Sequence, residues 1–134
     1  MSGNKIGVID SNIVIYVSKG ILSPKHVFGR YTTIYASIIT YIETLGYDFD
    51  NRSEEATVVG VLEVIPIINL NLEIAERAIA YRKQHRIKLP DALILATARQ
   101  LEADLITNNP KDFRGVDQQV HIVVPDLHKP DDNA

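Results

Sequence analysis

The chain has 134 residues, a length that fits one compact domain able to bury an ordinary core without staples. It contains no cysteine, which excludes disulfides and thiolate metal sites and suits a reducing cytosol, so a cytoplasmic location is expected. Apolar residues make up 46% and charged residues 23%, with a formal net charge of −3; this is a globular profile, not a polycation's, so any nucleic-acid contact must come from a local basic patch.

In chain order, KIGVID (5–10) reads as a short buried strand stopped by Asp10. SNIVIYVSKG (11–20) follows as a helix ending at Gly20, and ILSPKHVFGR (21–30) as a loop with Pro and Gly. YTTIYAS (31–37) is rich in Thr and Tyr and suits a strand. IITYIETLGY (38–47) could extend that strand, but Ser37 as cap and Gly46 as stop favour a helix, with Ile39, Ile42, Glu43 and Gly46 on one face. A turn (47–53) leads to a helix over 54–63, and VIPII (64–68) reads as an edge or irregular strand because of its proline. Residues 71–85 carry helical apolar spacing behind an Asn71 cap. Pro90 opens a buried helix to about Ala103; DLITN (104–108) is a strand, 109–115 a loop or single turn, and VHIVV (120–124) the last strand. The longest apolar runs, 13–17 and 64–68, fall far short of a membrane span, and the first residues lack a signal-peptide pattern, so no membrane association is expected.

Strands alternating with helices indicate an α/β domain with a mainly parallel sheet flanked by helices. In open sheets of this kind ligands sit beyond the carboxyl ends of the strands. Four acids stand out against that frame. Asp10 closes an apolar strand, Glu43 lies on an otherwise apolar helix, Asp91 heads a buried helix, and Asp112 lies just past a strand. Each has a plain explanation alone: Asp10 as an N-cap, Glu43 as a solvated helix residue, Asp112 as a turn cap, Asp91 as a carboxylate at a helix N-terminus, worth about 0.3–1 kcal/mol. Together they suit a hard cation, Mg²⁺ or Mn²⁺, which takes oxygen ligands and can drive phosphodiester hydrolysis.

Four segments carry a family resemblance: IGVIDSNIVIYV at the start, SIITYIETLGY with Glu43, LPDALILATA with Asp91, and LITNNPKDFRGV with Asp112. In order and spacing the sequence resembles a PIN domain, most of all the VapC-type ribonuclease toxins of prokaryotic toxin–antitoxin pairs. The resemblance implies a single PIN-like nuclease domain over residues 1–125, with 126–134 as a polar tail. It implies a metal-dependent endoribonuclease whose acids map onto Asp10, Glu43, Asp91 and Asp112, with Asp10, Asp91 and Asp112 as principal ligands and Glu43 as a ligand or a water-orienting group. Ser11, Asn12, Thr107 and Asn109 match supporting polar positions. A cognate antitoxin and, as in many relatives, a homodimer are implied partners.

Arg77, Arg82, Lys83, Arg86 and Lys88 form the dense basic stretch of this acidic chain. They serve either as solvated cations at a helix C-terminus or as a phosphate track leading RNA to Asp91. Tyr81 among them is a base-stacking candidate or a core residue. The four histidines show no metal-ligand spacing, and no G-x-S-x-G is present. The alternative function is a receiver-like signalling module with a Mg²⁺-binding acidic site, though only Asp10 follows the first strand where an acid pair is needed. A catalytically idle domain whose acids are caps is the third possibility.

Overall fold

The structure, a computed structural model, describes residues 5–125; the polar tail expected at 126–134 lies outside these residues. Five strands form one sheet: β1 (Ile6–Ile9), β2 (Thr33–Ser37), β3 (Ile67–Ile68), β4 (Asp104–Ile106) and β5 (Ile122–Val123). Their spatial order is β3-β2-β1-β4-β5, and every pairing is parallel. Six helices connect them: α1 (Ser11–Ser18), α2 (Pro24–Phe28), α3 (Ile38–Leu45), α4 (Arg52–Val64), α5 (Leu72–Gln84) and α6 (Leu89–Leu101).

The central strands read as unbroken apolar runs because helices cover both faces of the sheet. Side chains alternate across the pleat. Val8 and Leu105 join the core formed with α5 and α6, where Ile74, Ala78, Leu95 and Phe113 pack. Ile9 and Ile106 join the opposite core, with Ile13, Val14, Leu22, Val58 and Leu62. Gly7 has a packing role on β1. A Cβ there would sit 2.8 Å from Ile106 Cδ1 and 3.1 Å from the Tyr31 ring, whose hydroxyl donates to Asp104 at 3.0 Å.

Local chemistry sets most helix ends. Ser37 Oγ accepts from Ile39 N–H at 3.0 Å, Asn51 Oδ1 from Glu54 N–H at 2.9 Å, and Asn71 Oδ1 from Ile74 N–H at 2.9 Å. Gly46 stops α3, its N–H donating to Ile42 O. The stop after α6 falls on Glu102 in the left-handed region, φ 54°, without a glycine.

Two expectations are corrected. Residues 21–30 are not a loop throughout, since Pro24–Phe28 forms α2 with Pro at its start and Val27 buried. The helix expected over 54–63 starts at Arg52 and runs through Val64, leaving only Ile67–Ile68 as β3; Pro66 offers no N–H, but its carbonyl accepts from Ala36 N–H at 3.1 Å. In α5 the buried stripe is Ile74, Ala78 and Tyr81, while Leu72 and Ile79 are 73% and 54% exposed. In α3 the buried residues are Thr40 and Thr44, and Ile42 faces solvent.

Candidate active site

Asp10 is the residue after β1 and the N-cap of α1, so the carboxyl end of a central strand and a helix N-terminus meet at one side chain. It is 5% exposed. Its carboxyl accepts from the Ser11 N–H at 2.8 Å, Asn12 Nδ2 at 3.2 Å and Thr107 Oγ1 at 2.7 Å. Burial pushes the Asp10 carboxyl above its ordinary value, against the three hydrogen bonds that favour the charged form, and the Glu43 charge adds to the rise.

The neighbouring polar residues join the loops beyond β1 and β4. Asn12 Oδ1 accepts from the Asn108 N–H at 3.0 Å, and Thr107 Oγ1 accepts from the Asn109 N–H at 3.0 Å. Ser11 Oγ donates to Glu43 Oε1 at 2.5 Å, which ties α3 to the start of α1. Thr40 supports the same junction, its hydroxyl donating to Ile9 O at 3.3 Å. Asp91 sits in the first turn of α6 after Pro90, on a helix buried from Ala92 to Ala98. Asp112 closes the 3-10 turn Pro110–Asp112 after β4.

Asp10, Glu43, Asp91 and Asp112 all line one cavity of about 370 Å³, with Ser11, Asn12 and Asn109. Four elements separated in sequence thus deliver four carboxylates to one space at the carboxyl ends of β1 and β4. Asp91 registers the crowding. Its carboxyl is raised to about 6, first by burial and then by the charges of Asp10, Asp112 and Glu43, with Lys88 opposing. Thr107 lies behind the cavity and reaches it through Asp10.

Among the described residues the donors offered are carboxylate, hydroxyl and amide oxygens, with no histidine lining the cavity. That set fits a hard divalent cation such as Mg²⁺ or Mn²⁺ and not a zinc ion. Among the described residues no three His, Cys, Asp or Glu side chains are already gathered around a single ion position. The fit therefore rests on donor chemistry and on the shared cavity.

The basic stretch divides. Lys88 is the residue before α6 and lies within electrostatic reach of Asp91. Arg82 and Lys83 end α5 and, with Arg86, are exposed. Arg77 lines a different, larger cavity of about 660 Å³ with Tyr81, Arg99 and Asp117. Tyr81 is a core residue there, its hydroxyl donating to Asp117. The sequence reasoning missed two aromatic residues of the acidic cavity, Tyr16 and Tyr47. Tyr47 stands just past the Gly46 stop of α3, where helical spacing no longer applies, so no periodicity in the sequence marked it.

The PIN domain family matches this chain over residues 7–119. A chain in a toxin–antitoxin complex from Klebsiella pneumoniae is 34% identical, with a TM-score of 0.70 over 87% of this chain and 99% of that one. A chain of VapBC-1 from nontypeable Haemophilus influenzae is 25% identical, with a TM-score of 0.65 over 90% of this chain and 97% of that one. A chain of VapBC2 from Rickettsia felis, bound to a DNA fragment from their promoter, shares the fold at 20% identity, with a TM-score of 0.74 over 90% of this chain and 99% of that one. No curated protein matches in sequence. By the extent of that family match and the likeness to the Klebsiella chain, this protein belongs to the PIN domain family.

Proposed function

We propose that this protein is a metal-dependent endoribonuclease, the toxin of a toxin–antitoxin pair, hydrolysing RNA to products with 5′-phosphate and 3′-hydroxyl ends. The observation that carries the proposal is the convergence of Asp10, Glu43, Asp91 and Asp112 on one cavity at the strand ends. Four carboxylates in one space are an unfavourable arrangement for stability alone, and the raised Asp91 carboxyl expresses that cost.

Asp10, Asp91 and Asp112 would hold Mg²⁺ or Mn²⁺, with Glu43 as a further ligand or as the group that orients the attacking water. When bound, such a cation lowers the pKa of that water and offsets charge on the phosphate. The chain's own residues do the positioning. Three hydrogen bonds hold the Asp10 carboxyl in one orientation. Ser11 fixes one oxygen of Glu43 and leaves the other free to accept a proton from water. Pro90 and the buried helix behind it hold Asp91 on a rigid element. Lys88 next to Asp91, with Arg82, Lys83 and Arg86, would guide the phosphate backbone towards the acids.

A cognate antitoxin is the proposed protein partner, in line with the toxin–antitoxin complexes among the similar structures, and a homodimer is a further proposed assembly. No helix among the described residues is long and apolar enough to cross a membrane. The direct test is incubation of total cellular RNA with the purified protein in Mn²⁺ or Mg²⁺, with and without EDTA. Fragments that appear only with the cation support the proposal; intact RNA in every condition would refute it.

A further inference from the structure

We infer that the ring of Tyr47 is a stacking platform for an unpaired base of the nucleic acid cut at the acidic cavity, an inference that rests on the nuclease function proposed above. Tyr47 borders the same cavity as the four acids and is 39% exposed. Among the described residues no lysine or arginine lines that cavity. A polyanion is repelled by its carboxylates, so attraction inside it must come from a bound cation or from an uncharged surface. A tyrosine ring is such a surface. Every base has a π-face, and stacking on an aromatic side chain needs no charge.

The ring is held in place before any substrate arrives. Lys19 Nζ lies 5.5 Å from its centroid, and the Phe49 ring meets it edge-on, with centroids 5.2 Å apart and planes at 65°. Lys19 is itself ion-paired to Asp50 at 2.9 Å and Glu54 at 3.2 Å. The segment after α3 is thereby fastened to the end of α1 and the start of α4. A preorganised aromatic loses little freedom on binding. Bases within a duplex are already stacked on both faces, so this platform selects single-stranded or looped RNA at the cut.

The chain contains no tryptophan, so Tyr47→Trp places a single indole at the platform. We would make it in an Asp112→Asn background to block cleavage, and titrate it in Mg²⁺ with a single-stranded RNA oligonucleotide and with an abasic ribose-phosphate oligomer of equal length. Binding is read independently by anisotropy of the labelled oligomers. The expected result is saturable quenching of the indole by RNA and none by the abasic oligomer. Tyr47→Ala should weaken RNA binding roughly 5- to 150-fold, the loss of one base–aromatic stack, while leaving the abasic oligomer's affinity unchanged. Tyr47→Phe, which keeps the ring, should bind RNA as the native chain does. If RNA binds without quenching, Tyr47→Ala binds normally, and the native chain still cleaves RNA, the stacking inference is overturned and the nuclease stands. If no form binds RNA and the native chain does not cleave it in Mg²⁺ or Mn²⁺, the nuclease function fails and the stacking falls with it.

Discussion

The hydroxyl of Thr107, just past β4, donates to Oδ2 of Asp10, just past β1, across 2.7 Å. The two residues are 97 apart in sequence and become neighbours because β1 and β4 pair in parallel, Ile9 opposite Ile106. Thr107 is fully buried and also accepts from the Asn109 N–H. Thr107→Val keeps the shape and removes both bonds. We expect it to lose about 1–3 kcal/mol of stability and most of the RNA cleavage. Thr107→Ser should retain both. Urea denaturation beside a cleavage assay checks this, and an unchanged urea midpoint for Thr107→Val would show that the bond contributes nothing.

Asp10→Asn and Asp112→Asn should each reduce RNA cleavage to the level seen in EDTA while leaving a folded protein. The expectation follows from their common cavity at the strand ends. Circular dichroism establishes folding, and fragment analysis establishes activity. Full activity in either purified variant removes that residue from the site.

The metal-free protein should become less stable as pH rises from about 4 to about 7. Folding raises the Asp91 carboxyl from 3.8 to about 6, so the folded state binds the extra proton. Its stabilising effect is complete below the unfolded value and is lost as pH passes through about 6. Asp91→Asn has no such proton to lose. In EDTA near neutral pH it should melt above the native chain, although it gives up about 0.3–1 kcal/mol at the helix N-terminus. Excess Mg²⁺ should reverse the order, because ligand binding to the native state stabilises it and the variant lacks a ligand. If the variant melts lower in EDTA and Mg²⁺ shifts both proteins equally, Asp91 serves only to start a helix.

Below that range a second group should act with the opposite sign. Burial raises the Asp117 carboxyl, but hydrogen bonds from Tyr81, the Gln119 N–H and Arg99 outweigh it and hold the group below 3.8. Its side chain is 5% exposed and pairs with Arg99 at 2.9 Å. The stability it contributes is present above the unfolded value and is lost as pH falls through the lower folded one. Asp117→Asn should cost roughly 1–3 kcal/mol near neutral pH and flatten the acid limb of the melting profile. An acid limb identical to the native chain's would assign acid sensitivity to other groups.

Arg82, Lys83 and Arg86 are exposed beyond or at the end of α5, close in sequence to Lys88 and the Asp91 helix. Replacing all three with Glu should weaken RNA binding and make the negative slope of log K against log salt shallower by about 2, near 0.7 for each phosphate contact on a single strand. Filter binding across a salt series measures it. An unchanged slope would mean that these cations only complement the helix terminus.

Several features were legible because they depend on neighbours within a few residues. Ser37 and Asn71 mark helix starts by accepting from backbone N–H groups two and three residues on, and Pro90 marks one because the first turn needs no N–H from it. The apolar run before Asp10 reads as a strand covered on both faces. The short α2 was not legible, because a five-residue helix has too little periodicity and is held by burying Val27. Nor was the exposure of Leu72 and Ile79, since helical spacing names an apolar set without saying which part of it meets α6.

The sequence by itself determined that the chain is an α/β domain, that Asp10, Asp91 and Asp112 stand at or just past helix and strand ends, and that Glu43 lies on an otherwise apolar helix, for those positions follow from local hydrogen bonding and side-chain period. Only the tertiary structure decided that the four acids share one cavity, that Thr107 serves Asp10, that Arg77 and Tyr81 belong to another face, and that Tyr47 stands beside the acids. Those outcomes depend on the strand order β3-β2-β1-β4-β5, which is set by burying apolar surface between segments far apart in the chain, a sum that no short stretch of residues carries.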